Sequence, residues 1–584
     1  LEAEAVRYYD LEFIQLFSIR DLSSLGEIKA NFRHISFRTG EAIPEAIAQM
    51  KSLDFIPANL MEIPYLFETG AVNVDIAIIT ASPPDSRGYM SLGVAIDVAR
   101  VVMRKAPIVI VEVNPNMPMT YGDTSIHVDQ ADYFIESQEP LPERMPKPVD
   151  AVLDRIGWHI SNLIQDNSSV VLHVGSIFDA VAHYLKGKKN LGIVTNVISD
   201  WVIGLIESGA ISLDREKAAG GQVSTSYCHG TKVLYNYIHQ NQLFGFYPIA
   251  RLADPYQLRR VPNLISIMNV QKIDITAGKI VFYSGDDLLS GYESKFNFAL
   301  GTAFSINGKI IFALRSTDRN GNSNIVVQHE NTDNRIRSAF SMIRYVVTEY
   351  GVANLFGKSI RERALAMIEI AHPDHREGLF RQAKAVGLLY ADQIYTPAYS
   401  DNYPLSLETM KTFKGGLEVK IRPIKPSDEE MMRRHFYTFS DEAKYLRYFT
   451  NVRTMPRADM QKYVNIDYQK IMSLVVVLQT GNSERIIAEG RYAEYPQEQT
   501  YEMAFLVDEE FQGFGIGSFL VNYLIRIARE RGIKKLSASV LTQNTKMLGV
   551  FRKAEVTPKL HSDRDIIDLE FDLSPPEVKA PQPE

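Results

Sequence analysis

Three glycines lie within five positions in the segment QGFGIG, which runs from Gln512 to Gly517. A strand-like apolar run precedes this segment and an amphipathic, helix-like run follows it at once. Because glycine has no side chain, such a turn lets a ligand approach the backbone, and the first N–H groups of a helix favour negative charge. The segment therefore predicts a phosphate or pyrophosphate site. The glycines alone leave open a tight strand-to-helix connection without a ligand.

Spacing argues against two common phosphate-binding loops. A P-loop needs Lys in the pattern GxxxxGK[ST], and a Rossmann loop needs G-x-G-x-x-G with an acidic residue at the end of the next strand. The order here is Gln512-x-x-Gly515-x-Gly517, and no Lys follows. This order resembles the pyrophosphate loop Q/R-x-x-G-x-G/A of the GNAT acetyltransferases, which binds acetyl-CoA.

The resemblance extends over residues 416–573. Upstream, IRPIKPSDEEMMRRHFYTFSDEAKYLRYF resembles the first strand and helix of a GNAT domain, with Ser427 and Glu430 spaced as a capping box. Downstream, LTQNTKMLGVFRKAEV resembles the segment that supports the pantetheine and adenine ends of CoA. The resemblance implies that acetyl-CoA is the cosubstrate and that a set of residues from three segments binds it. This set is Leu506, Val507, Gln512, Gly513, Phe514, Gly515, Ile516, Gly517, Ser518, Asn544 and Arg552.

Each part of this set has an implied task. Backbone N–H groups from Gly513 to Ser518 would hold the pyrophosphate, and Gln512 would shape the loop. Main-chain atoms around Leu506 and Val507 would align the pantetheine arm. Asn544 and Arg552 would support the cofactor from the downstream segment.

The run TYEMAFLV places an acid, Glu502, in an otherwise apolar strand just before the glycine loop. The branch of GNAT enzymes that acetylates protein lysines carries a carboxylate base at this place. Attack on a thioester needs a neutral amine, whereas lysine has a pKa of about 10.4, so a base must remove a proton. We therefore expect Glu502 to be that base, with a solvent-facing structural carboxylate as the alternative. Phe551 stands where many GNAT enzymes have a tyrosine acid, so we expect water to protonate the leaving thiolate, if an acid is needed.

Long segments of the first 395 residues carry a second resemblance. They are SPPDSRGYMSLGVAIDVAR (82–100), VNPNMPMTYGDTSIHVDQADY (113–133) and YVVTEYGVANLFGKSIRERALAMIEIAHPDHREGL (345–379). These segments resemble the acetyl-CoA hydrolase/transferase family, which includes 4-hydroxybutyrate and acetate CoA-transferases. The resemblance implies two open α/β domains that face each other across a cleft, without the family's first strand and glycine loop.

The family's catalytic motifs are altered in this chain. Its nucleophilic glutamate lies in a motif like H-[ST]-E-M-x-S-D-G, whereas the chain reads VTNVISDW with Asn196 at the nucleophile position. An amide cannot form the glutamyl thioester on which this chemistry depends. The family's G-I-G-x-I-P-D-A-V reads HVGSIFDAV, and Glu293 and Ser294 replace a pair of glycines. We expect the fold without CoA transfer; the alternative is that another acid, such as Glu207 or Glu293, serves as nucleophile.

Composition sets broader limits. A chain of 584 residues predicts several domains, and 45% hydrophobic with 23% charged residues is typical of folded proteins. The net charge of −7 and the lack of a run of about 18 apolar residues argue against nucleic-acid and membrane partners. The single cysteine, Cys228, fits a reducing compartment, so we expect a cytoplasmic protein. His372 and His375 lack a third ligand at metal-like spacing, so no metal is expected.

The fold class we predict is α/β, with two CoA-transferase-like open α/β domains followed by a GNAT α+β domain. The predicted boundaries are 1–155 and 156–396 for the two α/β domains, 397–415 for a linker, 416–573 for the GNAT domain and 574–584 for a disordered tail. The predicted function is acetyl-CoA-dependent N-acetylation, with a protein lysine as the expected acceptor. An active CoA-transferase or hydrolase with a fused acetyltransferase, and a non-catalytic CoA-binding regulator, remain alternatives. The sequence leaves the oligomeric state open, a homo-oligomer included.

Overall fold

The structure is a computed structural model, and its described residues are 11–16, 32–37, 53–56, 58–59, 61–211, 223–281, 295–329, 336–338, 343–395, 403–495 and 500–574. Contacts divide the chain into two compact units. The first comprises Leu1–Phe356 and Ile370–His372, and the second comprises Gly357–Glu369 and Pro373–Glu584. Each unit is an alternation of helices and strands.

The first unit contains short strands and helices in alternation. Its described strands are β1 Leu11–Gln15, β2 Phe32–Ser36, β3 Leu53–Phe55, β4 Ile76–Ala81, β5 Tyr89–Ser91, β6 Ile108–Val113, β7 Tyr121–Gly122, β8 Ser125–His127, β9 Tyr133–Glu136, β10 Ser169–Val171, β11 Gly192–Ile193, β12 Val197–Ile198, β13 Val223–Thr225, β14 Tyr227–Cys228, β15 Phe244–Phe246, β16 Leu264–Asn269, β17 Lys272–Asp274, β18 Lys279–Val281, β19 Lys309–Ala313, β20 Ile325–Val326, β21 Ile336–Ser338, β22 Tyr345–Thr348 and β23 Gly351–Asn354. Its described helices are α1 Ile63–Thr69, α2 Ala99–Lys105, α3 Ala151–Ser161, α4 Ser176–Leu185, α5 Trp201–Glu207, α6 Lys232–Ile238, α7 Ile249–Leu252, α8 Pro255–Leu258 and α9 Lys295–Phe304.

Parallel sheets dominate this unit. Three parallel strands run in the order β4-β6-β9, and a larger sheet has the order β11-β10-β16-β19-β22-β23, in which only β22 and β23 pair antiparallel. The central strands β16 and β19 are almost entirely buried. Their mostly apolar sequences, LISIMN and KIIFA, are typical of parallel strands with both faces covered. One hydrophobic core joins residues of both sheets, from Ala77 on β4 to Val347 on β22.

The second unit contains one large sheet with helices. Its helices are α10 Ile360–Glu369, α11 Pro373–Ala385, α12 Glu429–Thr438, α13 Asp441–Tyr448, α14 Arg457–Val464, α15 Ile516–Glu530 and α16 Thr545–Phe551. Its strands are β24 Thr409–Phe413, β25 Leu417–Pro423, β26 Ile471–Thr480, β27 Ser483–Tyr495, β28 Thr500–Val507, β29 Lys535–Leu541, β30 Lys559–Asp563 and β31 Ile566–Asp572. They form one sheet of eight strands in the order β24-β25-β26-β27-β28-β29-β31-β30. Only β28 and β29 pair in parallel.

Two local predictions differ from this structure. Residues 409–413, which fall in the range assigned to a linker, form the edge strand β24, while residues 396–402 lie outside the described residues. The predicted capping box of Ser427 and Glu430 is also wrong. Ser427 donates its backbone N–H and its hydroxyl to the carboxylate of Glu369 on α10, and Glu430 pairs with Arg433 and Arg434. The buried carboxylate supplied by α10 is a stronger acceptor for Ser427 than a local helix cap, and sequence spacing could not reveal it.

Across the described ranges, none of the helices combines the length and the apolar character needed to cross a membrane. In the same ranges, no group of three or more His, Cys, Asp or Glu side chains is arranged to hold a metal ion. The predicted tail falls mostly outside the described residues, which end at Ser574.

Candidate active site

Two neighbouring strands of the second unit separate in the middle of the sheet. Between β28 and β29, both described in full, the paired positions are Tyr501 with Leu536 and Glu502 with Ser537. Beyond Glu502, β28 continues to pair with β27 on its other side, as far as Val507. The backbone edge of β28 that faces β29 is therefore not used by the sheet after Glu502. An extended, amide-containing ligand arm can bind to such an edge by backbone hydrogen bonds.

The glycine loop follows β28 after a short 3-10 turn at Glu509–Phe511. Gly513 and Gly515 have φ angles of 85° and 98°, which lie in the left-handed region that favours glycine. Helix α15 begins at Ile516, and no described side chain caps its first turn. Its first N–H groups are thus available to an anion, and the dipole of this long helix adds to the attraction.

Side chains around the loop fix its shape. Gln512 donates from Nε2 to the carbonyl oxygen of Val507 over 3.4 Å, and its Oε1 accepts from Lys546 over 3.2 Å. The sequence alone did not identify these two contacts. Asn544 caps α16, because its side-chain oxygen accepts from the backbone N–H of Met547.

The other predicted cofactor residues differ in burial. Leu506 is buried and Val507 is half-buried at the end of β28. Phe514, Gly517 and Ser518 are half-buried in the loop and the first turn of α15, and Ile516 is buried beneath it. Arg552 is exposed just after α16. Within the predicted set, Leu506 and Val507 lie at the end of β28 and residues 512–518 lie in the loop and the first turn of α15.

Glu502 lies on a defined face of the sheet. It pairs with Ala493 of β27, so its side chain lies on the same face as those of Arg491 and Glu489, two and four residues back along β27. Gly490 lies on the opposite face, where a Cβ would meet Phe505 and Leu520. The face of Glu502 is therefore the one opposite to α15.

A buried polar network on this face was not predicted. The carboxylate of Glu489 is fully buried and accepts from Tyr463, Ser473 and Arg491 over 2.9, 2.6 and 2.6 Å. Burial acts to raise the pKa of Glu489, but the charges of Arg491 and Arg447 outweigh it, so the pKa lies below its usual value. Glu489 is thus an enclosed anion already held by three donors, whereas Glu502 is only half-buried. Of the two acids, Glu502 is therefore the more accessible.

Phe551 and His435 are both unsuited to act as an acid catalyst. Phe551 is 1% exposed and its ring packs against Phe505 and Phe571, with centroids 5.7 Å away in both cases. Its position in the core offers no proton donor. His435 on α12 is also buried, and burial lowers the pKa of His435 to about 4, so its ring is neutral at pH 7.

The altered motifs of the first unit lie together in the structure. Nδ1 of His173 donates to Oδ1 of Asn196 over 2.9 Å, and the ring of His173 packs edge-on against Phe178 and Phe298. His173 begins the segment HVGSIFDAV, where the family motif quoted above has its first glycine. An imidazole thus fills the space beside Asn196 that a glycine would leave empty. The sequence alone did not reveal this contact, because His173 and Asn196 are 23 residues apart along the chain.

Glu207 and Glu293 are the two acids that could replace Asn196 as the nucleophile. Glu207 is exposed at the end of α5, five residues after Val202 of the buried core. Glu293 and Ser294 lie outside the described residues. Of the two alternative acids, only Glu207 therefore lies among the described residues.

Comparison with known proteins gives three family matches. The N-terminal domain of acetyl-CoA hydrolase/transferase matches residues 10–143, and its C-terminal domain matches residues 230–383. The acetyltransferase (GNAT) family matches residues 441–555. These matches confirm both resemblances that the sequence motifs indicated.

Individual proteins show the same division. A 4-hydroxybutyrate coenzyme A transferase of Clostridium kluyveri is 35% identical over 357 residues, which cover 61% of this chain and 83% of that protein. Acetyltransferase Pat of Mycolicibacterium smegmatis is 32% identical over 165 residues, which cover 28% of this chain and 48% of that protein. The crystal structure of RipA from Yersinia pestis is 27% identical with a TM-score of 0.60, covering 66% of this chain and 91% of that one.

Proposed function

The chain belongs to the acetyl-CoA hydrolase/transferase family and carries a C-terminal GNAT domain, and we propose from this premise that its reaction is acetyl transfer from acetyl-CoA to an amine. One observation supports this most directly. The strands β28 and β29 separate after Glu502, beside a glycine loop whose helix start has no described side-chain cap. The pantetheine arm would bind along the free edge of β28, and the pyrophosphate would bind at Gly513 to Ser518.

In the proposed reaction the amine nitrogen attacks the thioester carbonyl. Glu502 accepts a proton from the amine, directly or through a water molecule, so that a neutral nucleophile is available. The new C–N bond forms, the nitrogen releases its second proton to water, the C–S bond breaks, and CoA leaves as a thiolate. Because Phe551 cannot donate a proton, water protonates that thiolate. The proton taken by Glu502 returns to solvent.

The acceptor we propose is a lysine side chain of a protein. This rests on the position of Glu502, which matches the carboxylate base of the lysine-acetylating branch, and on the need of a lysine amine for such a base. The partial burial of Glu502, in contrast to the fully enclosed Glu489, supports the same assignment.

We further propose that the CoA-transferase-like module no longer transfers CoA. Asn196 stands where the family has its glutamate, and His173 fills the adjacent space with a hydrogen bond to that amide. The module would then act as a scaffold or as an acyl-CoA sensor. The domain ranges 1–155, 156–396 and 416–573 are part of this proposal.

The decisive experiment measures acetyl-CoA turnover by the full-length protein with and without lysine-containing protein substrates. Release of free CoA should depend on the acceptor, and mass spectrometry should find acetyl groups on lysine side chains. Glu502→Gln is the negative control, because it keeps the shape and removes the base. Equal acetylation of the acceptor by this variant and by the wild type would contradict the assignment.

Retained CoA transfer is the second candidate function. It is favoured by the 35% identity to a 4-hydroxybutyrate coenzyme A transferase. A new acid such as Glu207 would then replace Asn196. Incubation with acetyl-CoA followed by hydroxylamine or borohydride would trap a glutamyl thioester, and peptide mapping would identify the residue. Equilibrium binding of acyl-CoA to the full-length Gly515→Val variant, in which the GNAT loop is disabled, would test the sensor role separately.

A further inference from the structure

The segment that contains the edge strand β24 packs against the helix that follows the glycine loop. We call residues 405–416 the strap; they comprise a short 3-10 turn at Leu405–Leu407, strand β24 and a second turn at Lys414–Gly416. The strap precedes the residues that the GNAT family matches, which are 441–555. It therefore carries none of the residues expected to touch acetyl-CoA.

Two side-chain contacts and two close approaches to glycine residues join the strap to α15 and its loop. The hydroxyl of Tyr523 donates to the carbonyl oxygen of Leu407 over 3.1 Å. The rings of Phe413 and Phe519 meet edge-on with centroids 5.7 Å apart. A Cβ placed on Gly515 would lie 3.9 Å from Cδ1 of Phe413. At the next turn, a Cβ on Gly415 would lie 3.6 Å from the ring of Phe514.

The strap is itself fixed to the sheet. Strand β24 pairs with β25 from Thr409–Ile421 to Phe413–Leu417. Just before it, the carboxylate of Glu408 lies 2.6 Å from Nζ of Lys420 and 3.4 Å from Nζ of Lys425. Burial acts to raise the pKa of Glu408, but these two cations outweigh it and hold that pKa well below its usual value. Glu408 therefore stays ionised at neutral pH and anchors the strap.

Along β24 the side chains alternate between two faces. Lys411 and Phe413 face α15, and Nζ of Lys411 lies 5.5 Å from the ring centre of Phe519. Met410 faces away and is 66% exposed. The strand therefore offers a residue that touches the loop and, three positions away, one that does not.

We propose that Phe413 is a positioning residue for the acetyl-CoA loop, because its ring packs on Phe519 and covers Gly515 at the start of α15. This rests on the proposed function. Gly513, Gly515 and Gly517 give the loop a high conformational entropy, which must be lost when a ligand binds. A wall that holds the first turn of α15 in place before binding reduces that loss. Phe413 provides this wall from outside the GNAT motif.

The experiment compares four full-length proteins: the wild type, Phe413→Ala, Phe413→Leu and Met410→Ala. Calorimetry gives the Kd for acetyl-CoA and for S-acetylpantetheine, which lacks the pyrophosphate. Loss of the aromatic pair should raise the Kd for acetyl-CoA about tenfold in Phe413→Ala. The Leu variant should fall between Ala and the wild type, and Met410→Ala should match the wild type. Affinity for S-acetylpantetheine should not change in any variant.

The possible failures can be told apart. If the wild type does not bind acetyl-CoA, the proposed function is wrong and the inference falls with it. If the wild type binds and both Phe413 variants bind acetyl-CoA as tightly, only the inference is wrong. Equal weakening toward both ligands would also overturn it, because that indicates a general loss of structure. Should Phe413→Ala not fold, the Leu variant decides.

Discussion

Glu502 lies opposite Ser537 in the last pair that joins β28 to β29. A parallel pair that ends in the middle of a sheet leaves one strand edge unpaired, and here the residue at the end of the pairing is an acid. The edge of β28 that is proposed to bind the pantetheine arm therefore begins at the pair Glu502–Ser537, and the candidate base is one of these two residues. A base placed one residue further along β28 would lie on the other face, toward α15.

Replacing Glu502 by Gln should lower kcat by about a hundredfold or more, which is typical of a lost general base. The Kd for acetyl-CoA should change little, because the amide keeps the size of the carboxylate. Steady-state kinetics with a lysine substrate at pH 7 and calorimetry with acetyl-CoA provide the two measurements.

The control for this variant is Glu510→Gln. Glu510 is an exposed acid that pairs with Arg485 just before the glycine loop, and its loss should leave kcat unchanged. If the kcat of Glu502→Gln equals that of Glu510→Gln, Glu502 is not the base and has a structural role.

Gly517→Ala should weaken acetyl-CoA binding without unfolding the protein. A Cβ at Gly517 would meet Val550 and Val507 only at 3.9–4.0 Å, which is ordinary contact, so the fold accepts it. Pyrophosphate at the first turn of α15 would be pushed away, and the Kd should rise about tenfold or more. Gly515→Val should be more severe, because φ is 98° there.

Gly378→Ala is the matched control for this substitution. Gly378 is also helical, on α11, and a Cβ there would meet nothing within 4 Å. Both alanines should stabilise their helices by up to about 1 kcal/mol, whereas only Gly517→Ala should affect acetyl-CoA. Unchanged calorimetric affinity in Gly517→Ala would place the pyrophosphate elsewhere.

The sequence predicted the strand Thr500–Val507 and the helix after the glycine loop because both have strong local patterns. Strand β28 has these bounds, and α15 buries Leu520, Leu524, Ile527 and Ala528, whereas Phe519, which the same helical pattern places on this face, is half-buried. Gly532 follows the helix with φ of 74°, as a C-terminal stop requires. Period and glycine placement are local properties, so a single sequence contains them.

The strap and the Glu489 network could not be predicted in this way. The strand TMKTF is short and mixed in polarity, and it forms because β25 and α15 both pack on it. Glu489 is stabilised by Tyr463 and Ser473, which are 26 and 16 residues away along the chain. An acid within the run IIAEGRY was a signal that some partner must exist. Which partner it finds depends on tertiary contacts.

His435 should make the second unit less stable in mild acid. Its folded-state pKa of about 4 lies below the value of 6.5 that applies when unfolded, so the unfolded chain binds the proton more tightly. Stability is therefore full above pH 6.5 and falls as the pH decreases toward 4, by up to about 3 kcal/mol. Urea unfolding read by pulse proteolysis, scored on fragments of residues 403–574, measures this.

The comparison that isolates His435 is its replacement by Leu. The difference in pH dependence between wild type and His435→Leu should be confined to pH 4–6.5, with the variant flatter. His561→Asn, an exposed histidine of the same unit, should follow the wild type. Parallel curves for wild type and His435→Leu would show that His435 is not a source of the acid sensitivity.

The unmodified chain should transfer no CoA from acetyl-CoA to a carboxylic acid such as acetate, because Asn196 cannot form the covalent thioester. Asn196→Glu alone should restore little activity, since the ring of His173 occupies the adjacent space and Glu293 and Ser294 replace the paired glycines. The double variant His173→Gly with Asn196→Glu should exceed the single one, because it also removes that ring. Exchange of labelled acetate into acetyl-CoA is the measurement. Robust exchange by the unmodified chain, lost in Glu207→Gln but unaffected by Glu502→Gln, would show that the module is an active transferase.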